Sequence, residues 1–311
     1  MLGSSFQNFV FNFNNMNERN TVCSGDLLMG NISFDLTKKT KITSISIALS
    51  GKAYVYWSTG SSKNRRTHSA RLTFFNFNNV LLQENGAVAD STTLLAGTHL
   101  YPFSCQFPHG DFPSTFHSSN GHIVYKMKVA INRPWHMAKS FETELNHVSQ
   151  IDTNNPELQA PLLGSNTMTP SWLWCTSGPI SLTARTEKKA FNFGERVKLF
   201  CEFNNATSYS LTPVVKLHQK ITYYTINRGT KLLLIKKMSS VTGRVVSAHT
   251  SEHTQLAITI PTTGTLTISN CHILEVEYLV EVSLHVRACK DITVLFPIIL
   301  CDTPVQAQSE V

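Results

Sequence analysis

Alternation of apolar and polar residues runs through this chain, and no other feature limits the fold as much. In the longest run, Leu274, Val276, Tyr278, Val280, Val282, Leu284 and Val286 take every second position. Glu275, Glu277, Glu281 and His285 are among the residues between them. A period of two sends alternate side chains to opposite faces, so such a run becomes a strand with one face on a core and one in water. Ile32, Phe34 and Leu36 repeat the pattern, as do Ile45, Ile47 and Leu49. So do Tyr101, Phe103, Cys105 and Phe107, and then Tyr125, Met127, Val129 and Ile131. No stretch carries an apolar repeat at helical spacing, so the chain is expected to be all-β. Charged residues are only 15% of the chain, against roughly 25% in an average protein. Ser, Thr and Asn fill the polar positions instead, which suits half-wet strands better than helices.

The alternation comes in two matching sets. Gly25-Asp26 leads to Leu28, Ile32 and Phe34, and Gly194-Glu195 leads to Val197, Cys201 and Phe203 at the same offsets. Later in each set, Ile123, Tyr125, Met127, Val129 and Ile131 match Val276, Tyr278, Val280, Val282 and Leu284. The glycine of each Gly-acidic pair reads as a turn residue with unusual φ ahead of a strand. Two matches in the same order predict two similar β-sandwiches in tandem, which also suits 311 residues. The stretch 152–179 holds Pro156, Pro161, Pro170 and Pro179 with no alternation, and reads as a linker. The expected organisation is a first sandwich over 1–151, a linker and junction over 152–179, a second sandwich over 180–303 and a short tail over 304–311.

The seven cysteines are odd in number and include no CxxC pair, and no basic n-region opens the chain. Reduced thiols in a cytosolic protein are the expectation, with Cys105 and Cys201 acting as small apolar residues. The longest apolar run near the end, Val294 to Cys301, contains Pro297 and falls short of the about 20 residues a spanning helix needs. A formal net charge of +7 favours acidic partners such as anionic lipid or phosphorylated tails. The charge is not gathered into a nucleic-acid-binding motif, so no nucleic-acid partner is expected. The histidines show no metal-ligand spacing, and no GxSxG, P-loop or GxGxxG is present. No catalytic, metal or cofactor site is expected.

Five segments together resemble the arrestin family, and within it the arrestin-domain-containing (α-arrestin) type. Ser24-Gly25-Asp26 with Gly30-Asn31-Ile32 resembles the family's early turn and strand. Tyr101-Pro102-Phe103 through Phe107-Pro108, then Pro113-Ser114-Thr115-Phe116, resembles its mid-domain pattern. Asn132-Arg133-Pro134-Trp135 is similar to the close of its first domain, and Cys175-Thr176-Ser177-Gly178-Pro179-Ile180 to the entry of its second. Cys271 to Tyr278 resembles its penultimate strand.

The resemblance implies a non-catalytic adaptor in membrane protein trafficking, cytoplasmic and peripherally at plasma membrane and endosomes. It implies cytoplasmic tails of receptors or transporters and the trafficking machinery as partners. Family members recruit ubiquitin ligases through PPxY motifs, and this sequence contains none. A ligase is therefore expected only indirectly, through a PPxY-bearing relative. The alternative is a cargo-binding scaffold or competitor without effector recruitment. Members that couple to thioredoxin use a cysteine in the second domain, and the comparable stretch 247–261 has none. The run Phe6 to Phe13 lacks the lysines with which visual and β-type arrestins meet receptor phosphates.

Three groups of residues stand as candidate sites. Lys63, Arg65, Arg66 and His68 lie between two strands, either as a contact for lipid or an acidic partner or as a solvated hairpin loop. Arg133, Pro134 and Trp135 sit where a strand ends. Trp135 is expected to anchor the domain junction through its large apolar area, rather than to stand exposed for a partner. Ser309, Glu310 and Val311 fit a PDZ-binding C-terminus, where a free carboxylate and an apolar last residue add to a sheet edge.

Overall fold

The computed structural model describes residues 5–14, 16–83, 92–151, 155–169, 171–172, 175–176, 178–285 and 290–302. The chain is all-β, apart from one helical turn and one 3-10 turn among the described residues. It divides into two compact units: one comprises Met1–Ser149 with Tyr224–Thr230 and Asn270–Ile273, the other the remainder. The first unit holds β1 (Phe6–Phe13), β2 (Thr21–Val22), β3 (Leu27–Leu36), β4 (Thr40–Ile42), β5 (Ser44–Thr59) and β6 (Arg66–Gln83). Then come β7 (Thr92–Leu94), β8 (Gly97–Gln106), β9 (Phe116–Ser118), β10 (Gly121–Arg133) and β11 (His136–His147). The second holds β12 (Leu163–Met168), β13 (Ser171–Trp172), β14 (Cys175–Thr176), β15 (Ile180–Thr186), β16 (Ala190–Phe191) and β17 (Arg196–Asn205). It ends with β18 (Thr212–Tyr224), β19 (Lys231–Thr242), β20 (Thr250–Thr259), β21 (Leu274–His285) and β22 (Ile292–Leu300).

The sheets repeat one plan. The first unit pairs a β1-β3-β8 sheet with a larger sheet in the order β2-β11-β10-β5-β6. The second pairs β12-β15-β17-β20 with β16-β22-β21-β18-β19. In each larger sheet a two-residue strand joins in parallel, β2 on β11 and β16 on β22, while the long strands run antiparallel. The alternation becomes burial. Tyr125, Met127, Val129 and Ile131 of β10 are buried, as are Val276, Tyr278, Val280 and Val282 of β21.

The repeat also holds at the level of single hydrogen bonds. Gly25 and Gly194 both adopt positive φ, 84° and 79°, in the region that favours glycine. The Asp26 Oδ2 accepts from the Cys23 N–H at 2.7 Å, and the Glu195 Oε2 accepts from the Asn192 N–H at 2.9 Å. Each carboxylate thus closes a turn on the residue three positions back. Tyr125 donates its hydroxyl proton to the Pro113 carbonyl at 2.7 Å. Tyr278, its counterpart in the repeat, donates to the Thr265 carbonyl. Both phenols are buried yet satisfied, and burial pushes both up from the ordinary tyrosine range.

Two register shifts distinguish the β5–β6 hairpin. Gly51 pairs with Phe75 while Lys52 pairs with Thr73, so Phe74 is the extra residue on β6. The bulge lets two consecutive residues face inward. Phe75 lies against Phe107, Phe112 and Tyr125, and Phe74 stacks on Tyr125 at 6.0 Å.

Part of the stretch read as a linker is an edge strand. β12 pairs along its length with β15, from Leu163↔Arg185 to Met168↔Ile180. Its prolines flank the strand rather than interrupt it. Its side chains are exposed or half-buried, so an outer strand here needs no alternation. Ahead of it Pro156–Gln159 forms one helical turn, capped by Asn155 Oδ1 accepting from the Glu157 N–H at 2.9 Å.

Candidate interaction surfaces

The first basic cluster lies at the tip of the β5–β6 hairpin. Gly60 turns the chain with φ 87°, and a side chain there would meet the Asn64 carbonyl at 2.4 Å. Ser62–Asn64 makes a single 3-10 turn, from which Lys63, Arg65 and Arg66 stand exposed. His68 does not join them. It is half-buried, stacks on Trp57 at 5.2 Å and bonds Thr59 Oγ1 at 2.9 Å. The tip therefore presents three cations, not four.

The Arg133-Pro134-Trp135 segment departs from the expected junction anchor. It forms the β10–β11 hairpin turn, in which Arg133 pairs with His136. Trp135 is 102% exposed, so its ring stands in water. The reason is local: a tight turn between paired residues projects its central side chains outward. Pro134 followed by a residue at positive φ is the pattern of a type II turn, whose third position favours glycine or asparagine. Trp135 holds φ 55° there, a left-handed conformation costing a bulky residue about 1 kcal/mol or more. Arg133 does have a structural role, its guanidinium lying 5.4 Å from the Phe6 ring.

Beside this turn runs a second basic segment that sequence reading passed over. Thr43 N–H donates to the Asn132 carbonyl at 2.9 Å, which brings the strand before β5 alongside the end of β10. Lys38, Lys39 and Lys41, all exposed, then line a cleft of about 340 Å³ with Arg133, Trp135 and His136. Among the described residues, no ion pair joins any of these three lysines to an acidic group. Met137, next along, is 91% exposed. The signal available was three lysines in four positions, Lys38 to Lys41. It was hidden because the segment adjoins a strand and looks like its polar face.

In the second unit, β19 ends its sheet with Leu233, Leu234 and Ile235 exposed and Lys236 and Lys237 directly after. Ser309, Glu310 and Val311 lie outside the described residues. Among the described residues, Cys105 and Cys201 are free thiols. Burial pushes the Cys105 thiol up to about 11 and the Cys201 thiol up to about 12, so neither is a nucleophile near neutral pH. Among the described residues no cluster of His, Cys, Asp or Glu could hold a metal ion, and no helix is long and apolar enough to cross a membrane.

Comparison with known families places the whole arrangement. Residues 9–154 match the model of the arrestin (or S-antigen) N-terminal domain, and residues 176–305 match that of the C-terminal domain. The chain belongs to the arrestin family. Its relatives are of the arrestin-domain-containing type. This arrestin is 26% identical to human arrestin domain-containing protein 4 over 287 residues, 90% of this chain and 68% of that protein. The Mus musculus counterpart is 27% identical over 291 residues, with the same shares. Thioredoxin-interacting protein of Rattus norvegicus is 23% identical over 281 residues, 89% of this chain and 70% of the relative.

Proposed function

We propose that this arrestin is a non-catalytic adaptor that binds cytoplasmic tails of membrane receptors or transporters and links them to endocytic and endosomal sorting machinery. The observation that carries this reading is the match of both arrestin domains, in order, over most of the chain. The exposed cations at the tip of the β5–β6 hairpin and the net charge of +7 support an acidic partner. The protein works in the cytoplasm, at the inner faces of plasma membrane and endosomes. A ubiquitin ligase is reached through a PPxY-bearing relative, since these 311 residues contain no such motif. The same feature favours a second reading, a competitor that occupies cargo without passing it on.

Co-purification from cells after mild cross-linking separates the two. An adaptor is expected to bring endocytic or ligase components along with a membrane cargo. Cargo alone would support the competitor, and neither would overturn both readings.

A further inference from the structure

We infer that the β10–β11 hairpin is a membrane-insertion tip, and that the cleft beside it holds anionic phospholipid head groups. This goes beyond the adaptor reading and does not depend on which cargo is carried. The occupant follows from the chemistry of the surface. Trp135 on the turn and Met137 at the start of β11 stand in water at 102% and 91% exposure. Leu95, 66% exposed, directly follows Leu94, which pairs with Thr40 beside the lysines. Around them stand Lys38, Lys39, Lys41 and Arg133. Among the described residues, no carboxylate neutralises the three lysines. An apolar tip rimmed by unneutralised cations complements the boundary of an anionic bilayer, where tryptophan prefers to lie. A phosphopeptide would use the cations but leaves the tryptophan idle.

The backbone adds an independent argument. Trp135 occupies a left-handed turn position that glycine or asparagine would hold without strain. Strain kept in a side chain that packs on nothing points to a role outside the folded protein itself. The lysines are fixed rather than trailing. Thr40 between them is buried, and its hydroxyl donates to the Lys38 carbonyl at 2.9 Å. The cleft is thus built on a strand and a hairpin, and the cations face the same end as the tip.

The test is flotation of the purified protein with vesicles of equal parts phosphatidylcholine and phosphatidylserine, against phosphatidylcholine alone. Binding is expected only to the anionic vesicles and to weaken with salt. Reversing Lys38, Lys39 and Lys41 to Glu should cost at least about fivefold per position. Trp135→Ala should weaken partitioning about tenfold, and Met137→Ala by less. Trp135→Gly relieves the turn, so it should bind as weakly as Trp135→Ala while unfolding no earlier than the parent on heating. That separates lost insertion from lost fold. Brominated lipid should quench fluorescence in the parent and not in Trp135→Ala. Loss of binding on lysine reversal with none on Trp135→Ala would overturn insertion and leave an anion site. Loss only when Lys63, Arg65 and Arg66 are reversed would move the contact to the other hairpin and overturn the inference.

Discussion

Val280→Asp is expected to unfold the second unit and leave the first intact. Val280 is fully buried in the middle of β21, opposite Leu217 on one side and Phe296 on the other. Both neighbours are themselves buried, so no rotamer carries a carboxylate to water. Burying an unpaired acid there costs about 4 kcal/mol or more, a large share of the 5–15 kcal/mol typical of a folded domain. Each unit has its own buried strands, so the damage should stay local. Limited proteolysis should leave a resistant fragment ending near Ser149 while the second half is digested. Digestion of both halves at the same rate would show a single cooperative core instead.

Acid is expected to weaken the first unit through His147, and His147→Phe should remove most of that response. The imidazole is 1% exposed, stacked on Phe107 at 5.0 Å. Its Nδ1–H donates to the Pro113 carbonyl at 3.1 Å, while Nε2 is buried with no hydrogen-bond partner among the described residues. A proton added at Nε2 would be a buried, unsolvated charge. Burial therefore lowers the pKa from 6.5 to about 4, only partly offset by the Pro113 carbonyl and the Asp26 carboxylate. The unfolded chain binds the proton more readily, so stability is full above pH 6.5 and falls as the pH drops toward 4. A shift of that size corresponds to about 3 kcal/mol over the whole window. Urea midpoints taken from neutral pH down to about pH 5 read this range before most carboxylates titrate. Phenylalanine keeps the stack on Phe107, and the Pro113 carbonyl keeps Tyr125 as its donor. The variant should therefore fold with a much shallower profile, the remainder coming from groups such as His122, whose pKa burial also lowers, and an unchanged slope would assign the acid response to other groups.

The strands and their pairing into two similar units were legible because burial follows a period of two. Leu28 to Leu36, Ile45 to Leu49 and Leu274 to Leu284 announce their inner faces directly. The Gly25 and Gly194 turns were legible for the same kind of reason, since the residue type fits the φ it must adopt. β6 was not, because its bulge breaks the alternation at Phe74-Phe75 and the pattern loses phase. β12 escaped because an edge strand with wet faces leaves no apolar signature. Trp135 was misplaced because a large apolar side chain predicts burial on average, while its position is decided by a turn that only the β10–β11 register defines. His147 carries no sequence signal of its own. Its environment is assembled from Phe107, Pro113 and Tyr125, which the sequence leaves apart.

The free end of β19 bears on how the protein behaves in a concentrated solution. A long strand at the end of a sheet is a template on which another copy can pair, and Leu233, Leu234 and Ile235 would make that pairing adhesive. Lys236 and Lys237 set two such edges against each other as like charges. Their guard reaches only about 8 Å at physiological ionic strength. What keeps this edge from pairing is therefore charge on its lysines rather than anything in the core. Acetylating them would leave every buried contact in place and still remove that repulsion, so self-association should rise.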